Sequence, residues 1–335
     1  ATMRSQALTE ARPEGEGKVA RVMSKQSDKP RVSVIIPTHN RADWLPASLG
    51  SVLEQTYQNF EVLVVDDAST DNTEEVVKNF RSRKIRYFSH ESQRGAPAAR
   101  NMGLDHASGE FIAFLDDDDQ WLPEKLALQV GKFDQSGDEV GLIYTYSAVV
   151  SSLSGETLYT FEVHPGGHQP IDFLETVTFT SSVPLIRRSS LSRVGGFDEA
   201  LASAQDKDMW IRLAGECVFD YVPEVLVKRF VHGGQITADL GKKITGREQI
   251  LDKYFDHLFQ NPDTVAKHLW RLGVLYCVDE QFARGRGCFV GAIRQQPRRK
   301  GFYKHFLLAT LAPGWHRRHL LRRYIASVDG VRIYS

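Results

Sequence analysis

The chain has 335 residues, of which 41% are hydrophobic and 25% are charged, a composition typical of globular proteins. This length can bury a complete α/β domain and still provide a smaller second unit. The formal net charge at pH 7 is zero, and no stretch approaches the roughly 18 consecutive apolar residues of a membrane-spanning helix, which argues against an integral membrane protein.

Residues 1–30 are polar, contain Gly and Pro, and lack the apolar core of a signal peptide, so we expect a loosely ordered N-terminal tail. From residue 31 onwards, short apolar runs alternate with helical patterns. The predicted strands are "RVSVIIP", "FEVLVVDD", "IRYFSH" and "EFIAFLDD". This alternation predicts an α/β fold with a mostly parallel central sheet flanked by helices.

Polar residues directly follow three of these strands. They read "PTHN" at 37–40, "DDAST" at 66–70 and "DDDDQW" at 116–121. Because ligands of parallel sheets bind beyond the carboxyl ends of the strands, we expect the three segments to gather along one edge and form a site.

The four aspartates at 116–119 follow the apolar run "FIAFL". Adjacent carboxylates repel each other unless a cation or hydrogen-bond donors accept the charge. An extended backbone would point Asp116 and Asp118 to one side and Asp117 and Asp119 to the other. Such oxygen ligands suit Mg²⁺ or Mn²⁺ shared with a phosphate. The alternative, a solvated acidic turn, gives no reason for the run to share its edge with two other polar segments.

Several long motifs together resemble the family 2 glycosyltransferases, which have the GT-A fold. The motifs are "VSVIIPTHNRADWLPASLGSVLEQTYQNFEVLVVDDASTDNTEEVV", "GAPAARNMGLDHASGEFIAFLDDDDQWLPEKL" and "VGGFDEALASAQDKDMWIRLA". The resemblance covers about residues 31–235. It implies a Rossmann-like GT-A domain at 31–238, with a nucleotide-sugar-binding half at 31–135 and an acceptor-binding half at 136–238, followed by a basic helical region at 239–335.

The resemblance also implies a binding site for the nucleobase. The residues that would line it are Pro37, Thr38, His39 and Asn40. His39 would stack on the ring, or else be a turn histidine that faces solvent. Asp67 matches the acid that accepts a hydrogen bond from the imide N–H of the base, whereas Asp66 is expected to serve the turn.

The resemblance also implies which residues bind the ribose, the diphosphate and the metal: two arginines and the acidic run. Arg94 and Arg100 are candidates for neutralising the diphosphate, although Arg100 could equally form a structural salt bridge. Asp118 takes the metal-ligand position, with Asp116 and Asp117 near the ribose and the metal. The implied cofactor is Mn²⁺ or Mg²⁺, which would stabilise the departing diphosphate.

An inverting transferase also needs a carboxylate that deprotonates the acceptor hydroxyl. The family carries this base in a Glu-Asp pair before a helix, and the matching segment "QDKDMWIRLA" makes Asp206 the candidate. Gln205 stands in place of the usual glutamate and so removes a negative charge beside Asp206. Asp208, the alternative, would be the cap of the helix. His232 matches a histidine that often completes the metal site, or else lies on the surface.

The neutral net charge conceals a basic C-terminal part. Residues 281–335 contain twelve Lys and Arg but one acid, a net charge of +11, and the remainder carries −11. The segment "FYKHFLLATLAPGWHRRHLLRRYI" suits an interfacial helix on anionic lipid, or a terminal helical hairpin with its arginines in solvent. No recognisable nucleic-acid-binding module accompanies the charge, so we expect no nucleic-acid partner.

The resemblance therefore implies an enzyme, an inverting glycosyltransferase. It would move sugar from a nucleotide-diphosphate sugar, UDP-linked, to a hydroxyl of a saccharide or lipid-linked acceptor in surface polysaccharide or glycoconjugate synthesis. The alternatives are a catalytically inactive nucleotide-sugar-binding or scaffold protein, and a nucleotidyltransferase, although the Gly-rich loop of the latter is missing from "PTHNRADW". Three cysteines without a CxxC pair favour the cytoplasm, at the inner face of the plasma membrane if the acceptor is lipid-linked.

Overall fold

The computed structural model describes residues 29–162, 179–231, 239–256 and 261–328. Within these ranges nine strands form a single sheet, in the order β3-β2-β1-β4-β8-β6-β9-β5 with β7 beside β6. The predicted tail at 1–30 lies almost entirely outside the described residues.

The first half of the sheet is parallel, as predicted. Its strands are β1 (Val32–Thr38), β2 (Phe60–Asp66), β3 (Ile85–Ser89) and β4 (Phe111–Phe114). Every residue of β1, β2 and β4 is buried, which explains why these strands read as continuous apolar runs: helices cover both faces of the sheet. Thr38 pairs with Asp66 in the β1–β2 register, so these two strands end side by side.

The second half of the sheet is mixed. Its strands are β5 (Asp119–Trp121), β6 (Val140–Ser151), β7 (Thr157–Phe161), β8 (Leu185–Arg187) and β9 (Val218–Val231). β8 lies between β4 and β6 and is antiparallel to both, whereas β6 and β9 are parallel. β5 pairs antiparallel with β9, which sends the chain after β4 across to the far edge of the sheet.

Six helices accompany the strands in the described part of the chain, and five follow them. The first six are α1 (Leu45–Leu53), α2 (Thr73–Asn79), α3 (Ala96–His106), α4 (Lys125–Asp134), α5 (Arg188–Val194) and α6 (Gln205–Ala214). The last five are α7 (Leu240–Lys253), α8 (Pro262–Val278), α9 (Phe282–Gln295), α10 (Lys300–Leu311) and α11 (Pro313–Val328). None of the described helices is long and apolar enough to cross a membrane.

The main hydrophobic core extends from the sheet into the C-terminal helices. Ile250 and Tyr254 at the end of α7 and Val265 in α8 belong to the same buried cluster as the strands. A second cluster joins α8 to α9, α10 and α11 through Cys277, Phe289 and neighbouring apolar side chains. The start of the C-terminal region is therefore packed directly on the sheet domain, while its division at residue 238 stays a prediction.

Candidate active site

The ends of β1 and β2 are joined by hydrogen bonds from His39 and Asn40. His39 Nδ1 donates to the Asp67 carbonyl oxygen at 2.7 Å. Asn40 has a left-handed backbone (φ 52°), and its side-chain oxygen accepts from the Thr70 N–H at 2.7 Å. Left-handed backbone is tolerated by asparagine better than by most residues. Pro37, Thr38, His39 and Asn40 thus lie beside the β2 turn, as the sequence indicates, and their contact with a base stays a prediction.

Asp67 is 3% exposed and fixes the start of α3. Its Oδ1 accepts from His90 Nδ1 at 2.7 Å and from the Arg94 N–H at 2.8 Å, and its Oδ2 accepts from the Gly95 N–H at 2.6 Å. Burial alone would raise the pKa of Asp67, but these bonds outweigh it and hold the pKa below its usual value. A carboxylate offers about four acceptor positions, and donors within the described part of the chain occupy three of those of Asp67.

Asp66 serves the turn, which confirms the expectation for that residue. Its Oδ1 accepts from the Ser69 N–H at 2.8 Å, and its Oδ2 accepts from the Tyr87 hydroxyl at 2.6 Å. The Arg94 side chain points elsewhere, because it pairs with Glu199 at the surface at 3.0 Å, with both side chains more than 40% exposed. A role for Arg94 at the diphosphate would require this exposed pair to open.

The prediction that the aspartates alternate along an extended strand is wrong. β4 ends at Phe114, and the Asp119 N–H donates to the Asp116 carbonyl oxygen at 3.0 Å, which closes a turn. The solvated-turn alternative does not hold for Asp119, which is 3% exposed and opposite Arg229 in the β5–β9 register. The run therefore turns inward at Asp119, whereas Asp116, Asp117 and Asp118 are half-buried.

This turn concentrates negative charge in a partly buried place. The pKa of Asp117 is raised to about 7, by burial first and then by the charge of Asp118. The pKa of Asp119 is also raised, by burial and by the charges of Asp118 and Asp116, against the positive charge of Arg229. A cation or further hydrogen-bond donors at the turn would relieve this repulsion.

Arg100 and Ser181 join the acidic turn to the predicted base. Arg100 Nη2 lies 2.6 Å from Asp116 Oδ1 and donates to Ser181 Oγ at 3.2 Å. The Ser181 hydroxyl donates to Asp116 Oδ1 at 3.1 Å, and its backbone N–H donates to Asp206 Oδ2 at 3.0 Å. Of the two roles considered for Arg100, the structure contains the salt bridge; a role towards a diphosphate stays a prediction.

Asp206 lies in the first turn of α6. Burial raises its pKa above the ordinary value, although the positive charge of Arg100 opposes the shift. A carboxylate with a raised pKa accepts a proton more readily, which suits a general base. Gln205 is occupied with the helix start, where its amide donates to the Leu201 carbonyl oxygen at 3.0 Å.

Asp208, the alternative to Asp206, is a structural residue, but the prediction that it caps the helix is wrong, because the N-cap of α6 is Ala204 and no side chain caps it. Asp208 is fully buried and pairs with Arg212 at 2.8 Å and with Lys253 of α7 at 2.7 Å. The Tyr254 hydroxyl donates to the same carboxylate at 2.7 Å. Its lone pairs are thus occupied by contacts that hold α7 against α6. His232, the other predicted metal ligand, lies outside the described residues.

Three residues of this site were not found from the sequence: Ser181, Ser182 and Arg229. The Ser182 hydroxyl accepts from the Asp116 N–H at 3.1 Å, and its carbonyl oxygen accepts from Trp121 Nε1 at 2.8 Å. Serine and arginine are common in strand-rich segments without any functional role, so the sequence contains no pattern that marks these three residues.

With the geometry established, comparisons identify the family. The family model "Glycosyl transferase family 2" matches residues 33–195. The chain is 30% identical over 260 residues to an uncharacterized glycosyltransferase of Rickettsia typhi, which covers 71% of this chain and 80% of the relative. The chain belongs to glycosyl transferase family 2.

Two further relatives match over shorter parts. An uncharacterized glycosyltransferase of Rickettsia felis is 33% identical over 223 residues, 65% of this chain and 36% of the relative, so the chain spans about a third of that relative's length. UDP-Glc:alpha-D-GlcNAc-diphosphoundecaprenol beta-1,3-glucosyltransferase WfgD of Escherichia coli is 48% identical over 99 residues, 30% of this chain and 39% of the relative.

Solved structures share the fold. S. aureus TarS 1-349 in complex with UDP-GlcNAc has a TM-score of 0.59 and 19% identity and covers 89% of this chain and 92% of that one. The mannosyltransferase PcManGT from Pyrobaculum calidifontis, in complex with GDP-Man and Mn²⁺, has a TM-score of 0.50 and 22% identity, over 91% and 77%. This likeness confirms the predicted α/β fold of the GT-A type.

Proposed function

We propose that the protein is an inverting glycosyltransferase that moves sugar from a UDP-sugar to a hydroxyl of a saccharide or lipid-linked acceptor. The observation that carries the proposal is the link through Ser181, which hydrogen-bonds both Asp116 of the acidic turn and Asp206. A donor held at the turn would therefore lie beside a carboxylate that deprotonates the acceptor hydroxyl.

The donor would bind at the ends of β1, β2 and β4. Residues 37–40 and Asp67 would hold the base, and Arg100 would assist at the diphosphate. A UDP-linked donor is supported by the UDP-GlcNAc complex of TarS and by the UDP-Glc in the name of the Escherichia coli relative.

A divalent cation fits the acidic turn. Asp118 would hold Mn²⁺ or Mg²⁺ with Asp117 beside it. The cation would neutralise the charge of Asp118, which adds to burial in raising the pKa of Asp117. No group of three His, Cys, Asp or Glu able to hold a metal occurs among the described residues, and Mg²⁺ commonly binds one or two carboxylates together with substrate phosphates and water. When bound, the ion would stabilise the diphosphate leaving group as a Lewis acid.

The acceptor would be lipid-linked, and the protein would act at the inner face of the plasma membrane in surface polysaccharide or glycoconjugate synthesis. The name of the Escherichia coli relative contains diphosphoundecaprenol, a lipid. In this chain, exposed apolar side chains follow one another on α10 and α11: Tyr303 (41% exposed), Leu307 (51%), Leu311 (79%) and Trp315 (51%). Exposed Lys300, Lys304 and Arg318 lie among them, a combination suited to an anionic lipid surface.

Calorimetric titration of UDP, GDP and dTDP, with and without Mn²⁺, tests the proposal. We expect UDP to bind best, to need Mn²⁺, and to bind at least tenfold more weakly to Asp118→Ala. Asp105→Ala is the control, because Asp105 is an exposed carboxylate on α3. Absence of binding for every nucleotide would overturn the transferase, whereas UDP binding without sugar transfer would favour the inactive binding protein. Inversion is checked by the anomeric configuration of the product in NMR spectra.

A further inference from the structure

His90 stands at the end of β3, beside the two strand ends that the proposed donor site uses. Ser89, the last residue of β3, pairs with Asp66 in the β2–β3 register, and the His90 N–H donates to the Asp66 carbonyl oxygen at 2.9 Å. The carboxyl ends of parallel strands meet at one edge of the sheet, where ligands bind. His90 therefore belongs to that edge, although it has no part in the function proposed above.

His90 and Asp67 form a buried pair at this edge. His90 Nδ1 lies 2.7 Å from Asp67 Oδ1, and the two side chains are 3% and 4% exposed. Because Asp67 also accepts hydrogen bonds from the Arg94 and Gly95 N–H groups, its carboxylate is an acceptor throughout, and His90 Nδ1 is the donor. A hydrogen bond to an ionised carboxylate is stronger than one between neutral groups. The pair therefore stabilises Asp67 as a carboxylate.

The other nitrogen of the His90 ring indicates what the residue is for. His90 Nε2 is buried and has no hydrogen-bond partner among the described residues. Most buried polar atoms of folded proteins are paired, so an unpaired one calls for an explanation. A phenyl ring would fill a similar space without this cost. The imidazole is therefore explained by its hydrogen bond to Asp67 and not by packing alone.

The donors divide unevenly between the two Asp67 oxygens. Oδ1 accepts from His90 Nδ1 at 2.7 Å and from the Arg94 N–H at 2.8 Å, whereas Oδ2 accepts from the Gly95 N–H at 2.6 Å. Gly95 precedes α3 with a φ of 94°, a backbone that residues with a side chain rarely adopt. Since each carboxylate oxygen accepts about two hydrogen bonds, the described donors fill Oδ1, and a ligand N–H would bind Oδ2.

The protonation state of Asp67 decides which base could bind there. Uracil has an imide N–H, which an ionised carboxylate accepts. Cytosine has an unprotonated ring nitrogen at the same position, and only a protonated carboxyl group can donate to it. Burial favours the protonated form of Asp67, whereas its three donors favour the ionised form and outweigh burial. The donors thus favour uracil over cytosine.

Other titratable side chains lie near Asp67 without a hydrogen bond to its carboxylate: Asp66, Tyr87, His39 and Arg94. The first two bond to each other, His39 contacts the Asp67 carbonyl oxygen, and the Arg94 guanidinium pairs at the surface. Among the described residues, the titratable side chain that bonds to the Asp67 carboxylate is therefore His90.

We propose that His90 determines the base selectivity of the donor site by holding Asp67 ionised, so that the site accepts uracil and rejects cytosine. His90 acts through Asp67 and is a positioning residue, because its bond to Oδ1 leaves Oδ2 to meet the base. This inference rests on the proposed transferase function, and it deepens it, because it gives a physical cause for the preference for a UDP-linked donor.

The test compares the affinities for UDP and CDP, measured by calorimetry with Mn²⁺ at pH 8 and at pH 5. The readout is the ratio of the two affinities. Both nucleotides carry the same ribose and diphosphate, so titration at the acidic turn, where the pKa of Asp117 is about 7, affects both alike and leaves the ratio unchanged. The variants are His90→Phe and His90→Leu, which remove the donor, His90→Asn, which keeps an N–H donor, and the control His106→Phe, which replaces an exposed histidine of α3.

In the wild type, His90→Asn and His106→Phe, we expect a preference for UDP with the same ratio at both pH values. In His90→Phe and His90→Leu the buried carboxylate loses one donor, so its pKa should rise and more of it should be protonated at pH 5. We expect the ratio in these two variants to fall about tenfold from pH 8 to pH 5, as for a carboxylate whose pKa lies about one unit above pH 5. A general loss of stability would weaken both nucleotides together and would not change the ratio.

A ratio that does not change with pH in His90→Phe and His90→Leu would overturn the inference. A wild type that shows no preference for UDP, or whose ratio already falls between pH 8 and pH 5, would overturn it as well. Unfolding of both variants, seen as loss of the thermal transition, would assign His90 to stability alone and also overturn it. In each of these cases UDP binding by the wild type would leave the proposed function standing. Failure of the wild type to bind any nucleotide would instead overturn the proposed function, and the inference with it.

Discussion

Ser181 connects the two carboxylates on which the proposed chemistry depends. Its hydroxyl donates a hydrogen bond to Asp116, the first residue of the acidic turn, and its backbone N–H donates one to Asp206. These residues come from distant parts of the chain, and one hydrogen-bonding residue fixes their separation. Small shifts at Ser181 would therefore displace the base relative to the donor, and displacements of this kind have large effects on transfer rates.

Asp206→Asn should abolish most of the turnover and leave nucleotide binding intact. The amide oxygen can still accept from the Ser181 N–H, but the side chain no longer takes a proton, and loss of a general base commonly costs about 10²–10⁴ in rate. The first measurement is the rate of sugar transfer from the UDP-sugar to an acceptor, or to water when no acceptor is present. The second is the affinity for UDP, measured by calorimetry. Asp208→Asn is the comparison, because it should lower the melting temperature through loss of its ion pairs. A folded Asp206→Asn variant with wild-type turnover would show that another group is the base.

Arg100 and Arg94 form a matched pair for measuring the effect of burial on an ion pair. Arg100→Met should lower the free energy of unfolding by about 3 kcal/mol, the lower end of the cost of removing one partner of a buried ion pair. The lower end is expected because the Asp116 side chain is 26% exposed and keeps its hydrogen bond from the Ser181 hydroxyl. Arg94→Met removes an exposed pair and should cost less than about 1 kcal/mol. Urea denaturation measures the free energy of unfolding of both variants. Equal losses of stability would contradict the difference in burial between the two ion pairs.

At the scale of elements, Glu61 fastens β2 to the turn that follows α3. Its carboxylate accepts from the Ser33 hydroxyl at 2.7 Å and from the Ser108 N–H at 2.9 Å, and it pairs with Arg86 at 2.9 Å. Burial alone would raise the pKa of Glu61, but these bonds outweigh it, so the pKa is lower in the folded protein than in the unfolded chain. The stability that this gives is complete above the unfolded pKa and is lost as the pH falls through the folded one.

Glu61→Gln should therefore destabilise the protein in a pH-dependent way. At pH 7 the loss should be about 2 kcal/mol, because a charge-assisted bond to Arg86 is replaced by an amide that opposes it. The difference between variant and wild type should begin to shrink as the pH falls below the unfolded pKa of glutamate. It should be lost only when the pH falls through the lower folded pKa, where wild-type Glu61 becomes neutral as well. Urea denaturation at pH 7 and at a series of pH values from 4 downwards measures the difference. A difference that stays constant with pH would show that the ionised form is not what stabilises β2.

Most elements could be predicted from the sequence because the local pattern is strong. β1, β2 and β4 are continuous apolar runs, and the polar segments after them do lie at one edge. The placement of β5 and β8 could not be predicted, since each has three residues and its partners are far away in sequence. The turn at 116–119 could not be predicted for the same reason. It depends on Ser182 and Arg229, which are distant in sequence and approach only after the sheet forms.

At the scale of the whole molecule, the C-terminal helices connect the candidate site to a basic surface. α7 packs on the segment before Asp206 through Gly246 and Gln249, and α8 continues into the bundle that carries α10 and α11. Lys300, Tyr303, Lys304, Leu307 and Leu311 recur at helical spacing along α10. The helices that pack beside the segment before Asp206 are thus part of the same packed unit as the face proposed to meet the lipid.

Sedimentation with lipid vesicles tests that face. Wild-type protein should sediment with vesicles of phosphatidylglycerol and phosphatidylcholine, less with phosphatidylcholine alone, and less in 0.5 M salt, which shortens the screening length to about 4 Å. The double substitution Leu307→Asp and Leu311→Asp should lower membrane affinity at least tenfold, since burying one leucine is worth about 1.5–3 kcal/mol. Leu153→Asp is the control, because Leu153 is 97% exposed but lies at the β6–β7 turn. Equal loss in the control, or none in the double variant, would mean that α10 does not meet the membrane.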